Sequence, residues 1–147
     1  MAGMDGTPTD GTPTDGTPTD GTPTDGTPTD GTYVDGFVLA VPRAKLDAYT
    51  ALARTAAEVW KEHGALAYAE CIGDDVPYGT LTSFPRAVQA TEDEVVVFSW
   101  IVYASREQRD AINAKVMQDP RLKGSVDDMP FDGKRMIHGG FRTFVQV

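Results

Sequence analysis

The strongest hydrophobic pattern in the chain is the stretch of residues 94–103, which is rich in β-branched and aromatic side chains and therefore predicts a β-strand. Alternate side chains of a strand point to opposite faces, and here both sets are apolar. One set comprises Val95, Val97, Ser99, Ile101 and Tyr103, and the other comprises Val96, Phe98, Trp100 and Val102. Both faces of this strand are therefore expected to be covered by other parts of the protein. Residues 33–41 predict a first strand, which from Phe37 onward is also apolar on both faces.

Two amphipathic helices are predicted, one after each of these strands. Residues 43–63 carry apolar side chains at three- and four-residue steps, which is typical of a helix with one buried stripe. Gly64 supplies the left-handed residue that commonly ends a helix. Ser105 is followed three residues later by Gln108, which is the pattern of a capping box at the start of the second helix. Pro120 marks the end of that helix.

Two further strands are predicted at the edges of the sheet. Residues 65–72 have one face of small side chains and one mixed face, and residues 135–147 alternate between apolar and polar side chains. Such patterns suit strands that are only half buried. The connection of residues 73–93 is long for a compact domain, and residues 86–90 are a candidate for a short strand within it. Long connections of this kind often carry function.

The predicted order of elements is βαββαβ, which is an α+β fold of the ferredoxin-like kind. In this topology the first and third strands lie in the middle of a four-stranded antiparallel sheet, and two helices cover one face. The other face is also apolar, and a large exposed apolar face is a liability. The simplest cover is a second copy of the same sheet, related by two-fold symmetry. The sequence therefore predicts a homodimer whose sheets pack face to face.

Composition separates a tail from the rest of the chain. The 147 residues have a net charge of −9, but residues 1–32 hold six Asp and no basic residue, so the remainder is close to −3. The unit Asp5-Gly-Thr-Pro-Thr9 occurs five times in tandem and cannot bury enough surface to offset chain entropy. Residues 1–32 are therefore predicted to be a disordered tail, and residues 33–147 a single domain. A solubilising extension, a glycosylated stalk, a phosphorylated Thr-Pro array and a weak cation binder all remain open for the tail.

Charge and cysteine content narrow the partners and the compartment. The acidic balance argues against nucleic acid, because phosphate binding needs a basic stripe. Cys71 is the one cysteine, so no internal disulfide is possible and a reducing compartment is compatible. The first residues lack the pattern of a signal peptide, and the longest apolar run is far short of the about 20 residues that span a bilayer. We therefore expect a cytoplasmic protein with neither a nucleic-acid nor a membrane partner.

Carboxylates and the single thiol are the first candidates for chemistry. Asp74 and Asp75 begin the long connection and, as paired carboxylates, suit metal ligation or acid–base catalysis. The alternative is a solvated turn beside Gly73, since Gly and Asp are common turn residues. Cys71 alternates with alanines and lacks a basic neighbour in sequence. It is therefore predicted to be a small buried apolar residue rather than a nucleophile.

Histidines and basic residues give weaker signals. His63 lies in the last predicted turn of the first helix, and His138 lies on the last strand, where it is a candidate base. Neither belongs to a metal-binding spacing, and no phosphate loop, Ser-His-Asp arrangement or dinucleotide fingerprint is present, so no metal or cofactor is predicted. Lys134 and Arg135 suit either anion binding or ion pairs with nearby acids, which are Asp127 and Asp128.

Several motifs, taken in order along the chain, resemble one known family. They are Tyr33-Val-Asp-Gly-Phe37 with Ala40-Val-Pro42, Glu70-Cys71 with Gly73-Asp-Asp-Val-Pro77, Thr82-Ser-Phe-Pro85, Val96-Val-Phe-Ser-Trp100, Asp119-Pro-Arg121, and Met129-Pro-Phe-Asp-Gly-Lys-Arg-Met-Ile137 with Gly139-Gly-Phe141. Over residues 33–147 the chain is similar to the YbaA-like family of small bacterial proteins of unknown function. The resemblance implies a dimeric α/β barrel and no particular reaction. The repeat tail lies outside the family pattern, and Ile72 and His138 stand where Trp and Tyr are expected, which would alter any pocket that these positions line.

Dimeric barrels commonly place their pockets between sheet and helices, and this suggests a function by analogy of fold. The leading hypothesis is a small dimeric protein that binds an apolar or aromatic molecule there, in a pocket lined by Tyr68, Phe98, Trp100 and His138. The alternative is a cofactor-free enzyme of the oxygenase or isomerase type, in which His138 or Asp75 points into the pocket. A third hypothesis is an interaction protein that works through its tail.

Overall fold

The computed structural model describes residues 32–124 and 129–147, so all of the predicted tail except Thr32, and the acids Asp127 and Asp128, lie outside the described residues. Within these two ranges, four strands and three α-helices form the fold. They are β1 (Tyr33–Pro42), α1 (Leu46–Glu62), β2 (Ala67–Ile72), α2 (Phe84–Ala87), β3 (Glu94–Tyr103), α3 (Arg106–Val116) and β4 (Ile137–Arg142). Three short 3₁₀ helices join them, at Arg43–Lys45, Pro120–Leu122 and Gly133–Arg135.

The sheet has the order β2-β3-β1-β4, and every neighbouring pair is antiparallel. β1 and β3, whose side chains are apolar on both faces, are therefore the two central strands. Only a central strand has a neighbouring strand on each side and packed side chains both above and below it. The α+β class and the ferredoxin-like βαββαβ topology are confirmed, with α2 as a short addition inside the connection between β2 and β3. Pro42 ends β1 as expected, since proline cannot continue the ladder of hydrogen bonds.

Two helices, α1 and α3, cover one face of the sheet, as predicted. The buried side chains of this layer form two clusters, which are Leu39, Val41, Tyr49, Ala53, Val95 and Val97 at one end and Val59, Ala65, Ile101, Tyr103, Ile112 and Val116 at the other. Gly64 follows α1 with φ of 120°, a conformation that glycine adopts without strain. Ser105 caps α3 by accepting a hydrogen bond from the backbone N–H of Gln108 at 3.1 Å.

The opposite face of the sheet, which we call the open face, is only partly covered. The alternation of side chains and the strand register place apolar or small residues on it at every position except Glu94: Val34, Gly36, Val38, Ala40, Pro42, Ala67, Ala69, Cys71, Val96, Phe98, Trp100, Val102, Ile137, Gly139 and Phe141. The connection through α2 covers one end, where Val88 packs with Val38, Ala40 and Val96. Elsewhere Phe98, Ile137 and Phe141 keep 43%, 46% and 62% of their surfaces exposed.

Three predictions about local structure are wrong. Residues 86–90 are not a strand, because Phe84–Ala87 forms a short helix. Ser83 caps this helix, and Pro85 lies in its first turn, where proline is well tolerated. The last strand covers Ile137–Arg142 rather than residues 135–147, since Asp132 caps a 3₁₀ turn at Gly133–Arg135 and residues 143–147 pair with no described strand. Cys71 is exposed rather than buried, because it lies on the open face of the edge strand β2, where no described layer covers it.

Arg135 connects the first residue of β3, Glu94, to the segment that precedes β4. Its guanidinium makes two parallel hydrogen bonds of 2.9 and 2.7 Å to the carboxylate of Glu94 and reaches Asp132 at 3.0 Å and the carbonyl of Gln89 at 2.8 Å. Arg135 therefore forms ion pairs with Glu94 and Asp132, while the predicted partners Asp127 and Asp128 lie outside the described residues. The bonds from Arg135 lower the pKa of Glu94 to about 2, against the opposing effect of burial.

Replacing Arg135 with Met is expected to lower the free energy of unfolding by roughly 2 kcal/mol, the usual scale for charge-assisted hydrogen bonds. The pKa of Glu94 is depressed in the folded state, so the stability that it contributes is complete above its unfolded pKa and is lost as the pH falls from about 4.5 towards about 2. The free energy of unfolding, measured with urea between pH 2 and 7, should therefore fall less steeply towards acid pH for Arg135→Met than for the native protein.

The neighbouring variant Lys134→Met is the control, because the Lys134 side chain forms no hydrogen bond or ion pair with the described residues. It should reproduce the native profile. Parallel profiles for native protein and Arg135→Met would contradict the role given to this ion pair.

Candidate functional site

A cavity of about 270 Å³ lies between the sheet and the helix layer. Strand side chains form its floor, α1 forms one wall, and side chains from the end of α3 and the segments that follow it close the rest. The residues that line it are Phe37, Leu39, Tyr49, Leu52, Ala53, Ala56, Trp60, Tyr68, Glu70, Ser99, Ile101, Val116, Met117, Leu122, Met129, Phe131 and Met136. The small side chains of Ala53 and Ala56 on α1 leave this space, because the helix approaches the sheet without filling it.

Five of the residues that line the cavity are aromatic, and most of the others are aliphatic or methionine. Tyr49 and Phe131 meet edge to face with ring centroids 5.7 Å apart, and Trp60 and Tyr68 lie tilted at 6.1 Å. Such pairs hold one another in place. The cavity interior is therefore largely apolar, and part of its wall consists of rings in defined positions.

One carboxylate, that of Glu70, lies in this apolar lining and is held by two tyrosines. The Tyr49 hydroxyl donates to Oε1 at 2.7 Å, and the Tyr68 hydroxyl donates to Oε2 at 2.8 Å. Burial above all, and then the nearby Glu70 carboxylate, raise the pKa values of both tyrosines well above the ordinary value of 10. Both hydroxyls therefore stay protonated and act as donors to Glu70.

Ser99 lies beside Glu70 on the floor of the cavity. The two residues are directly opposite in the antiparallel pair of β2 and β3, and both face the helices. Ser99 is only 5% exposed, and its hydroxyl has no hydrogen-bond partner among the described residues. A buried hydroxyl without a protein partner is uncommon, and such a group can accept a hydrogen bond from water or from a ligand.

A second groove, of about 400 Å³, runs along the outside of α1 and the edge strand β2. It shares Tyr49, Ala53, Tyr68 and Glu70 with the cavity. The hydrogen-bonded group of Tyr49, Glu70 and Tyr68 therefore lies between the cavity and the surface groove. Ile72, which stands where an aromatic residue is expected from the family pattern, lines the groove and not the cavity.

A buried polar network holds the Trp60 ring, which forms part of the cavity wall, through its indole N–H. The indole N–H of Trp60 donates to the Tyr103 hydroxyl and to Asn113 Oδ1, both at 3.1 Å. Tyr103 in turn donates to Asp35 Oδ2 at 3.1 Å, and Arg109 pairs with Asp35 Oδ1 at 2.7 Å. Burial and the Asp35 carboxylate raise the pKa of the Tyr103 hydroxyl. The Trp60 indole N–H, the Tyr103 hydroxyl and the Asp35 carboxylate each have a partner, so the network holds Trp60 in position.

The structure does not bring the predicted site residues together. Tyr68 lines the cavity, but Phe98 and Trp100 point to the open face of the sheet. His138 faces the helix side from the edge strand β4, is exposed, and stacks on Phe37 with ring centroids 6.2 Å apart. Asp75 is exposed in the connection after β2 and does not line the cavity.

The remaining candidates, His63 and Asp74, do not line the cavity. His63 at the end of α1 lies 3.2 Å from Asp119, which also binds Arg121. Asp74 lines a shallow surface groove beside Gly73. Within the two described ranges, no three metal-ligating side chains converge, and no helix is long and apolar enough to span a membrane.

Sequence reasoning missed Glu70, although a signal was present. An acid in the middle of a strand, two residues from Tyr68 on the same face, is unusual for a position that faces helices. Tyr49 lies in the apolar stripe of α1, so a tyrosine hydroxyl was available to meet it. The distance between Glu70 and Tyr49 across the layers depends on packing and could not be read from the pattern alone.

Comparison with known proteins gives a family without an assigned activity. The family model described as "Protein of unknown function (DUF1428)" matches residues 32–133. The chain is 58% identical over 109 residues to the uncharacterized protein YbaA of Escherichia coli K12, which covers 74% of this chain and 93% of that protein, and the same figures hold for YbaA of Shigella flexneri.

Solved structures give weaker likenesses. A dimeric ferredoxin-like protein from an uncultured marine organism is 14% identical, with a TM-score of 0.47 and coverage of 79% of this chain and 97% of that one. A nipsnap family protein with unknown function from Agrobacterium tumefaciens is 13% identical, with a TM-score of 0.47 and coverage of 80% and 94%. The match of the family model, together with the identity to YbaA, shows that the chain belongs to the DUF1428 family of proteins of unknown function.

Proposed function

We propose that this protein binds a small apolar or aromatic molecule in the cavity between sheet and helices, and that it does so as a homodimer joined through the open faces of two sheets. The observation that carries the proposal is the cavity itself, which five aromatic residues line: Phe37, Tyr49, Trp60, Tyr68 and Phe131. An apolar concave site with a few converging polar groups is the usual form of a small-molecule site.

The size of the cavity limits the ligand. A cavity of roughly 150 Å³ is enough to hold benzene, and the space here is about 270 Å³. A single ring with a short side chain fits, whereas a dinucleotide or a haem does not. Because Trp60 is held by Tyr103 and Asn113, the ligand meets a wall that is already in place, and little ordering entropy is lost on binding.

The open face is the surface through which the second copy is proposed to bind. Among the described strand residues, Glu94 is the one charged position on this face, and Arg135 pairs with it at 2.7 Å, in a chain whose net charge is −9. Two-fold pairing therefore brings no unpaired like charges together, which is the condition that a self-complementary interface must meet. Exposed Phe98, Ile137 and Phe141 supply the apolar surface that pairing removes from water. In this arrangement the two sheets enclose a common core, as in a dimeric α/β barrel.

A cofactor-free enzyme of the oxygenase or isomerase type is the second candidate, and Glu70 is the observation that favours it. Neither His138 nor Asp75 lines the cavity, so a reaction there would use Glu70 as the proton acceptor. Binding and catalysis are distinguished by Glu70→Gln, which keeps an oxygen to accept from the tyrosines but removes the base. The free, exposed thiol of Cys71 suits a reducing compartment, and we place the protein in the cytoplasm on this ground.

Ligand binding is tested with indole as a neutral aromatic probe and ¹⁵N-labelled tryptophan side chains as reporters. Trp60 lines the cavity and Trp100 faces the other side of the sheet, so the two indole N–H signals form an internal comparison. Indole should shift the Trp60 signal saturably and leave the Trp100 signal in place. Ala56→Phe, which fills the cavity from α1, should abolish the shift, whereas Ala51→Phe on the exposed side of the same helix should not. An unmoved Trp60 signal in the native protein would refute the proposal.

The dimer is tested at Phe98, which is exposed enough in one chain for a lysine to reach water. In a face-to-face dimer the same lysine would be buried without a partner, at a cost of several kcal/mol per ion. Sedimentation velocity should therefore show Phe98→Lys as a single chain of 15.8 kDa at concentrations where the native protein is paired. Leu66→Lys, an equally exposed apolar position outside the open face, is the control and should stay paired. Pairing of Phe98→Lys as strong as that of the native protein would exclude this face.

A further inference from the structure

The cavity carries a negative charge that forms no ion pair with the described residues, although Arg54 lines the groove on the outer side of Glu70. Among its described lining residues, Glu70 is the one charged side chain, and Lys, Arg and His are absent. Its partners are two neutral hydroxyls, those of Tyr49 and Tyr68, and none of the ion pairs of the described residues includes it. Charges in apolar surroundings are normally paired, since desolvation without a partner is costly. The natural complement of this carboxylate is a positive charge on the ligand.

The carboxylate has room to accept that charge. An ionised carboxylate offers about four lone-pair sites, and the two tyrosine hydroxyls occupy one on each oxygen. Further donors are therefore accepted without displacing either tyrosine. The tyrosines instead fix the direction of the carboxylate, so that its free sites stay where packing places them.

Ser99 provides an independent observation at the same end of the cavity. Its hydroxyl is buried, lines the cavity and has no described partner, and it lies across the strand pair from Glu70. Opposite positions in an antiparallel pair have Cβ atoms about 5 Å apart. One nitrogen with several donors can therefore reach both the carboxylate of Glu70 and the oxygen of Ser99.

The aromatic lining suits the same ligand. Ammonium groups are attracted to the faces of Trp and Tyr rings, and rings also pack on an apolar ligand body. Tyr68 donates to Glu70 and lies beside Trp60, Phe37 is opposite Ser99 in the pair of β1 and β3, and Phe131 packs on Tyr49. The site thus has one negative group in a lining that is otherwise mostly aromatic and aliphatic.

We propose that the ligand is a protonated amine carried on a single aromatic ring or a comparable short apolar body. The ammonium group donates to Glu70 and to Ser99 Oγ, and the apolar body fills the space between α1 and the sheet. This inference rests on the proposed function and narrows it to one ligand class. It excludes carboxylates as ligands, because Glu70 repels them. It also predicts that neutral molecules bind more weakly than amines of the same shape.

The test is isothermal titration of the full-length protein at pH 7 with three matched probes, which are 2-phenylethylamine, 2-phenylethanol and 3-phenylpropanoate. The probes share a phenyl ring on a short chain and differ in the terminal group. The amine should bind at least about tenfold more tightly than the alcohol, the scale of one hydrogen bond to a charged group. The carboxylate should bind most weakly of the three.

Variants assign the preference to the residues named. Glu70→Gln should bring the amine and the alcohol to equal affinity while alcohol binding persists, and Ser99→Ala should weaken the amine by a few-fold. Glu58→Gln, which removes an exposed charge on α1 away from the cavity, should leave the native ranking unchanged. The comparison of probes on the native protein needs no variant, so it holds even if a variant folds poorly.

The outcomes separate this inference from the proposed function. Equal binding of amine and alcohol by the native protein overturns the amine assignment and leaves the apolar site standing. Binding of none of the three, with no response of the Trp60 signal to indole, overturns both. An amine preference that survives Glu70→Gln overturns the assignment to Glu70.

Discussion

Two strands with apolar residues on both faces impose the constraint on which the rest of this structure depends. β1 and β3 lie side by side in the middle of the sheet, so both faces of the sheet must be kept from water. On one face α1 and α3 do this, and on the other the α2 connection covers only the end around Val88. The apolar surface left around Phe98 and Phe141 is what the proposed second copy covers.

The candidate site follows from the way the first face is covered. α1 approaches the sheet with small residues, so a cavity remains between the helix and the strand floor. Polar atoms that meet this cavity must find partners, and Tyr49 and Tyr68 each donate one hydrogen bond to the carboxylate of Glu70. The Ser99 hydroxyl and the charge of Glu70 have no further partner among the described residues. They lie next to each other, and this supports the proposed binding site.

The sequence predicted the order of elements, the central strands and the capping of α3 by Ser105, because these depend on local periodicity and on short motifs. It misplaced residues 86–90, where Ser83 and Pro85 start a helix turn that outweighs strand propensity. It predicted a ligand pocket with Tyr68, but it grouped Phe98 and Trp100 with it, although they face the other way. Alternation shows which side chains share a face but not which face meets the helices. The bond between Tyr49 and Glu70 depends on the packing of α1 on β2, which lies beyond any local pattern.

The most direct test of the account is the mass of the protein in solution, measured by light scattering on the full chain and on residues 32–147. Thr32 is retained because it is buried and its carbonyl accepts a hydrogen bond from the backbone of Thr143. The account predicts twice the chain mass for both proteins, hence twice 15.8 kDa for the full chain, because the open face and not the tail makes the contact. A single-chain mass for both at micromolar concentration would contradict it.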